Sequence, residues 1–178
     1  MTSVDALIEL LGELGRHPSP DDDSFTDLDH GLQCAVELIA VRPDDEELAL
    51  AGLVHDVGHR LGSDEEHGRL GAEIVRPVLG DRVADLVEAH VPAKRFLVTT
   101  DPAYGAGLSA DSTRTLILQG GGMTSEEAQR FRRMPNFQDA VALRRADEAA
   151  KVPGRDVPGL EHWVGALRDA NRRVAQDS

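Results

Sequence analysis

The sequence predicts an all-α protein built as one helical bundle. Apolar residues recur at three- and four-residue spacing along most of the chain, which is the period of an amphipathic helix. No segment of any length alternates apolar and polar residues as a half-buried strand would. A length of 178 residues suits one hydrophobic core, so we expect residues 1–178 to form a single domain.

The first two predicted helices carry the clearest pattern. In residues 3–15 the apolar side chains fall on one face, and Gly15 and Pro18 end the pattern at an acidic loop. Residues 27–41 repeat the pattern on the face that contains Leu32.

Helix-ending signals divide the middle of the chain. Pro43 and the acidic residues after it open a helix over 44–57, and Gly58 closes it. Two more helices follow, the second of which we expect to stop before Pro92: 64–78 and 81–90.

The pattern loosens between residues 95 and 123, where glycines and a proline surround a short segment, 112–119. A loop region of this length in a compact domain is more often functional than passive. Helical spacing then resumes in the three last predicted helices: 125–133, 136–151 and 158–174.

The composition limits the possible functions. A formal net charge of -13 argues against nucleic-acid binding through a broad basic surface. The single cysteine, Cys34, can form no internal disulfide and indicates a reducing compartment. No apolar run approaches the length that crosses a membrane, about 20 residues, and the first residues lack a signal-peptide pattern. We therefore expect a cytoplasmic protein that binds neither nucleic acid nor membrane.

The most informative motif is the pair His55-Asp56, which follows the apolar run 48–54. Imidazole nitrogen and carboxylate oxygen together suit iron, manganese, zinc or magnesium. Six candidate ligands lie within predicted helices or at their ends: His30, His55, Asp56, His67, His90 and Asp147. Four of them satisfy one metal, whereas two metals bridged by Asp56 account for all six.

Six further side chains are candidate substrate-binding residues: His59, Lys94, Ser112, Thr115, Gln119 and Arg144. Ser112, Thr115 and Gln119 follow helical spacing and would present hydroxyl and amide groups on one face. Arg144 lies three residues before Asp147 and could bind an oxyanion through two parallel hydrogen bonds. A solvated Lys94 and a surface ion pair at Arg144 remain alternatives.

These residues and their order resemble the HD-domain superfamily. More narrowly, they resemble the HD-domain mixed-valent diiron oxygenases that cleave the carbon–phosphorus bond of organophosphonates. The resemblance covers about residues 27–152, the expected core, with flanking helices at both ends. Its specific stretches are 30–35, 55–59, 90–96, 108–112, 115–121 and 143–151.

The resemblance implies one iron on His30, His55, Asp56 and Asp147, and a second on Asp56, His67 and His90. It further implies that His59, Lys94, Ser112, Thr115, Gln119 and Arg144 bind the phosphonate, and that Asp56, His59 and Lys94 act in catalysis. The substrate would be a 1-hydroxyalkylphosphonate, supplied by an upstream hydroxylase. With O2 and a mixed-valent Fe(II)/Fe(III) pair, the products would be a carboxylic acid and inorganic phosphate.

One region departs from the family pattern. Better-known members carry a tyrosine and a glutamate before the first ligand, where they guard the open site and read the substrate amine. Here residues 18–25 contain no tyrosine, and only aspartates such as Asp23 stand in for the glutamate. The substituent on the hydroxyphosphonate therefore stays open, and so does the oligomeric state.

Two other functions compete with the oxygenase. The His-Asp pair by itself also fits a phosphohydrolase that uses one divalent metal to activate water on a nucleotide or other phosphate monoester. His67 and His90 exceed the needs of such a site. A non-enzymatic helical module is the third possibility, but all six candidate ligands are intact.

Overall fold

A computed structural model of the chain describes residues 3–16, 18–19 and 22–177. Helices make up most of these residues, which confirms the predicted all-α class. The other regular elements in this part of the chain are a short 3₁₀ helix, Val57–Arg60, and the antiparallel strands β1 (Pro18–Ser19) and β2 (Asp22–Thr26). The helices are α1 (Val4–Leu14), α2 (Asp27–Val41), α3 (Glu46–Val54), α4 (His67–Leu79), α5 (Asp81–Thr100), α6 (Pro102–Ala106), α7 (Ala110–Leu118), α8 (Ser125–Arg132), α9 (Phe137–Ala149) and α10 (Leu160–Asp177).

The helix α3 lies in the centre of the bundle. Every residue from Leu48 to Val54 is buried, so this helix is apolar on all sides. It packs against α2, α5 and α9, and α4 in turn packs against α5. Because α3 ends at Val54, the next two residues, His55 and Asp56, enter the interior of the bundle.

The start of α2 is fixed by a reciprocal pair of hydrogen bonds. The backbone N–H of Asp29 donates to Thr26 Oγ1, and the backbone N–H of Thr26 donates to an Asp29 carboxylate oxygen, each at 3.0 Å. Such a capping box satisfies two N–H groups that the first turn leaves without partners. The next residue, His30, is thereby held at a defined position in the first turn, where it is buried.

Two glycines allow backbones to meet close to candidate ligands. A Cβ at Gly31 would lie 2.4 Å from the carbonyl oxygen of Leu53, so α2 approaches the end of α3 at a distance that only glycine permits. A Cβ at Gly58 would lie 1.9 Å from the carbonyl oxygen of His67. The 3₁₀ helix and the start of α4 can therefore touch only because residue 58 has no side chain.

The prediction that a helix stops before Pro92 is wrong, because α5 continues to Thr100. A proline inside a helix removes one backbone hydrogen bond and costs about 3 kcal/mol. Beyond it, Phe96 and Leu97 are buried in the core, and this burial favours continuation of the helix. As a result Lys94 lies on the same helix as His90, one turn further along.

The structure differs from the sequence predictions at three other places. The predicted acidic loop before α2 contains the paired strands β1 and β2, whose shortness leaves no detectable alternating pattern. The region 95–123 is largely helical, with α7 close to the predicted segment 112–119. The predicted helix 44–57 is shorter and ends at Val54.

The two ends of the described chain meet. The helix α10 packs against α1 and also contacts α3 and α4. Among the described residues, no helix combines the length and the apolar character needed to cross a bilayer.

Candidate metal centre and oxyanion pocket

The carboxylate of Asp56 lies between two pairs of histidines. Its Oδ2 atom is 3.2 Å from Nε2 of His55 and 3.5 Å from Nε2 of His30. Its Oδ1 atom is 3.6 Å from Nε2 of His67 and 3.7 Å from Nε2 of His90. Each carboxylate oxygen therefore faces a different pair of imidazoles, as a bridging carboxylate does.

Asp147, on α9, completes the first of these groups. Its Oδ1 atom is 3.2 Å from Nε2 of His30, and its Oδ2 atom is 3.8 Å from Nε2 of His55. Two ligands at about 2.1 Å from one ion, in octahedral or tetrahedral geometry, lie about 3.0–3.4 Å apart. The observed separations are close to this range.

The tautomers of the four histidines are set by backbone carbonyls. Each Nδ1 atom lies 2.5–3.1 Å from a carbonyl oxygen: His30 from Ala150, His55 from Gly52, His67 from Asp64 and His90 from Val87. A carbonyl oxygen only accepts hydrogen bonds, so Nδ1 carries the proton in each ring. Nε2 is then the nitrogen of each ring that faces the site, which is the arrangement that hydrogen bonds to the other ring nitrogen give to metal-binding histidines.

This arrangement leaves nitrogen atoms that only a cation satisfies. Nε2 of His55 is buried and has no hydrogen-bond partner. Nε2 of His67 lies 2.8 Å from Nε2 of His90, so two lone pairs face each other. Burial lowers the pKa of His67 to about 4, so at neutral pH it offers a lone pair and not a proton. The donors thus form two groups that fit a metal, one on each side of Asp56.

The electrostatics of the group formed by His30, His55, Asp56 and Asp147 also favour the binding of a cation. Burial by itself lowers the pKa of His55, but the carboxylates of Asp56 and Asp147 outweigh it and raise that pKa to about 9. Burial opposes ionisation of Asp147, yet the guanidinium of Arg144 and the His30 imidazole hold its pKa well below the usual range. Both carboxylates therefore stay ionised and available to a metal.

A cavity of about 950 Å³ opens onto these ligands. Its wall includes all six predicted substrate-binding residues. They are His59 of the 3₁₀ helix, Lys94 of α5, Ser112 and Thr115 of α7, Gln119 directly after α7, and Arg144 of α9. The structure therefore gathers the predicted substrate-binding residues and five of the six predicted ligands around one space, while the sixth ligand, His55, is fully buried and does not line the cavity.

Lys94 is a buried cation on the wall of this cavity. Only 4% of its surface is exposed, and its ammonium donates a hydrogen bond to Thr115 Oγ1 at 2.8 Å. Burial, with a contribution from Arg144, lowers its pKa to about 8. At neutral pH it carries a positive charge whose hydration is largely lost, and such a charge binds an anion strongly.

Arg144 is held by the protein itself. Its Nε donates to the hydroxyl of Tyr104 at 2.6 Å, and Nη2 donates to Ser112 Oγ at 2.9 Å. It also forms ion pairs with Asp147 and Glu148. These contacts satisfy four of the five N–H groups of the guanidinium.

His59 bridges the metal ligands and the cavity. Its ring stacks on that of His67 at 4.0 Å between centroids, and Nε2 lies 3.5 Å from Asp56 Oδ1. Its Nδ1 lies 3.5 Å from a carboxylate oxygen of Asp64. About a third of the His59 side chain is exposed, at 31%, so it can reach a molecule in the cavity.

Sequence reasoning missed four residues at this site. The backbone carbonyl of Asp64 accepts hydrogen bonds from both His67 Nδ1 and Gln119 Nε2, and thereby ties a ligand to the cavity wall. Glu148 and Tyr104 hold Arg144, and Lys151 contacts Ser112. The available signals were the adjacency of Glu148 to Asp147 and the position of Lys151 four residues after Asp147. The backbone contact of Asp64 has none in the sequence.

Part of the segment before α2 lies outside the described residues. Phe25 lines the cavity, together with Asp27 at the start of α2. His17, Pro20 and Asp21 lie outside the described residues, and so does the side chain of Asp23. The hypothesis that Asp23 reads a substituent therefore stays a prediction.

A buried His-Asp cluster in a helical bundle, with an added histidine pair and a cationic cavity, defines a metal-binding protein of the HD class. The family model for the HD domain matches residues 9–148. The chain belongs to the HD-domain family and, within it, to the branch of the organophosphonate dioxygenases.

Two similar proteins are named as phosphonate dioxygenases. The chain is 38% identical to a hydroxymethylphosphonate dioxygenase of Gimesia maris over 171 residues, which cover 90% of this chain and 84% of the relative. It is 34% identical to a [1-hydroxy-2-(trimethylamino)ethyl]phosphonate dioxygenase (glycine-betaine-forming) of Leisingera caerulea, across 89% of this chain and 87% of the relative. A third relative, at 29% identity over 90% of this chain and 78% of its own length, is the uncharacterized protein L432 of Acanthamoeba polyphaga mimivirus.

Proposed function

We propose that this protein is an O2-dependent diiron oxygenase that cleaves the C–P bond of a 1-hydroxyalkylphosphonate. The products are a carboxylic acid and inorganic phosphate. For hydroxymethylphosphonate and one O2, the atoms balance as formic acid and phosphate. The observation that carries the proposal is the position of Asp56, whose two oxygens each face a separate pair of histidines.

The donor set supports two irons. His30, His55, Asp56 and Asp147 would hold one, and Asp56, His67 and His90 the other. A redox-active iron pair supplies the one-electron chemistry that a reaction with O2 requires and that zinc or magnesium does not supply. Ligation by imidazoles and carboxylates, with no thiolate, suits iron in this role.

The cavity residues support an oxyanion substrate next to the metals. Lys94 provides the positive charge, and the Thr115 hydroxyl holds its ammonium in place. The Gln119 amide lies at the same wall, where its Oε1 is buried and has no partner among the described residues. His59 reaches both Asp56 and the cavity, so it is placed to hold or move a proton at the substrate hydroxyl.

The described cavity favours a small substituent on the hydroxyphosphonate. Quaternary ammonium groups are recognised by cages of aromatic rings. Among the described residues of the cavity wall, Phe25 is the one aromatic side chain apart from the histidines. Hydroxymethylphosphonate is therefore the first substrate to test, and its hydroxyl would be supplied by a hydroxylase that acts on a simpler phosphonate.

The test combines metal content, spectroscopy and turnover. We expect about two irons per chain, and a coupled paramagnetic signal of a mixed-valent pair that changes when hydroxymethylphosphonate is added. Phosphate and formate should then appear in equal amounts, and only with O2. One redox-silent metal per chain, with phosphate release from nucleotides or phosphate monoesters, would instead establish the phosphohydrolase.

We further propose that residues 1–178 form a single domain. The contact of α10 with α1, α3 and α4 supports it, because it joins both ends of the chain to the core. Limited proteolysis of the metal-loaded protein should leave the region from α1 to α10 intact as one fragment. Release of a stable piece without α10 would contradict it.

A further inference from the structure

Two of the 19 basic residues of this chain are lysines, Lys94 and Lys151, and the others are arginines. Both lysines lie on the wall of the same cavity. Elsewhere the chain uses arginine for its surface ion pairs, for example Arg69 with Glu66 and Glu73. An ammonium is a compact point charge, whereas a guanidinium is a planar fork, so the two are not interchangeable at an anion site.

Lys151 follows the end of α9, and its ammonium is oriented by hydroxyl groups. Nζ donates to Ser112 Oγ at 2.8 Å and to Ser109 Oγ at 3.3 Å. The carboxylate oxygens of Glu148 and Asp147 are farther away, at 3.6 and 4.0 Å. An ammonium has three N–H donors, so one of them has no acceptor within hydrogen-bond distance among the described residues.

Lys94 and Lys151 are held in equivalent ways by α7. Lys94 donates to the hydroxyl of Thr115, and Lys151 donates to the hydroxyl of Ser112, both at 2.8 Å. Ser112 and Thr115 are three residues apart and lie on one face of the helix. One face of α7 thus holds both ammonium groups at the wall of the same cavity, where both can contact one tetrahedral head group.

The charge of Arg144, in contrast, is already balanced. It pairs with both Asp147 and Glu148, and it is 3% exposed. A doubly charged phosphonate therefore needs positive charge beyond Arg144. Lys151 provides it from a side chain that is 28% exposed and reaches the cavity.

We propose that Lys151 is a second substrate-binding lysine, which together with Lys94 selects a dianionic tetrahedral head group. Arg144 is then a positioning residue that orients Asp147 and Ser112. The proposal rests on the proposed function for the identity of the substrate. Binding of the anion by Lys151 can be measured without any turnover.

The kinetic test compares Lys151→Gln with Lys151→Arg on iron-loaded protein, with hydroxymethylphosphonate as substrate. Loss of a hydrogen bond to a charged group should raise KM about 10- to 100-fold in Lys151→Gln, with iron content and unfolding temperature unchanged. Lys151→Arg keeps the charge and should recover part of the loss. The matched control is Arg155→Gln, which removes one positive charge four residues away at a side chain that pairs with Glu37. A KM of Lys151→Gln within twofold of that control would overturn the proposal.

The binding test uses inorganic phosphate and hydroxymethanesulfonate, a monoanion of similar shape. By calorimetry, Lys151→Gln should bind phosphate about tenfold more weakly than wild type, and its preference for phosphate over the sulfonate should shrink. If wild type binds phosphate but never turns over a hydroxyphosphonate, the proposed function fails and the anion site stands. Equal phosphate affinity in wild type and Lys151→Gln refutes the role of Lys151, whatever the catalysis.

Protection of the two lysines by a bound anion can also be measured directly by chemical modification. With only two lysines, reductive methylation followed by peptide mass spectrometry reports each site separately. Added phosphate should slow the methylation of Lys151, and an unchanged rate would count against its contact with the anion.

Discussion

The Nε2 atoms of His67 and His90 lie 2.8 Å apart, although each ring has its proton on the opposite nitrogen, Nδ1. Two imidazole lone pairs at this distance repel each other unless a cation lies between or beside them. Burial holds the pKa of His90 well below its usual value, so a proton is poorly suited to that role. This contact is the strongest structural argument that the second histidine pair exists for a metal, and it suggests how the two metal positions can be separated experimentally.

Replacement of His90 by Gln should remove one metal and leave the other. The first group, with His30, His55 and Asp147, does not include His90, so iron content should fall from about two to about one per chain. Oxygenase activity should be lost with the coupled paramagnetic signal. Metal analysis and electron paramagnetic resonance check this. Simultaneous loss of both metals at unchanged fold would show that the two groups are not independent.

Replacement of Asp56 should instead affect both metals. Because each of its oxygens faces a different histidine pair, Asp56→Ala should lower the content of both irons. Phosphate release should fall by more than the roughly 10- to 100-fold that is typical when a residue hydrogen-bonded to a metal ligand is replaced. Asp85→Asn, at an exposed side chain paired with Arg76, is the control and should behave as wild type. Full iron content in Asp56→Ala would argue against a bridging role.

The pH dependence should show an alkaline limb from Lys94. Its pKa is about 8 in the folded protein, below the usual value of about 10.4. As pH rises through about 8, the free enzyme loses this positive charge, so kcat/KM should fall about tenfold per pH unit. The unfolded chain binds more protons between these two values, so the contribution of Lys94 to stability becomes more favourable as pH rises across that window. A kcat/KM that stays constant up to pH 9.5 would contradict the assignment of this limb to Lys94. So would an active Lys94→Arg variant whose kcat/KM falls over the same pH range.

Substitution at Gly58 should disturb the fold and the metal centre together. A Cβ there would lie 1.9 Å from the carbonyl oxygen of His67, so Gly58→Ala must push apart the 3₁₀ helix and α4. We expect a loss of about 2–4 kcal/mol in the free energy of unfolding and weaker metal binding. Gly12→Ala is the matched control, because its Cβ would meet nothing within 4 Å and the change favours the helix α1 by up to about 1 kcal/mol. Thermal unfolding of both variants measures this difference in stability, and equal stability of the two would contradict the close contact at Gly58.

The helical class and most helix positions were predictable because they depend on local periodicity. The helix α2, for example, has the predicted bounds of 27–41. The stop at Pro92 was predicted wrongly, because the sequence signal of a proline is local while the burial of Phe96 and Leu97 depends on the other helices. The strand pair before α2 is too short for its pattern to be detected.

By itself, the sequence determined the residue types from which a site can be made: the His-Asp pair after a buried apolar run, the further histidines, and a cation near each predicted ligand group. Tertiary structure alone decided how they are used. It placed the two oxygens of Asp56 against different histidine pairs, bound Arg144 to Tyr104 and Ser112, and brought Lys151 to α7. Such relations depend on helix packing between residues far apart in the chain, and a one-dimensional spacing carries no information about which atoms of two side chains will meet.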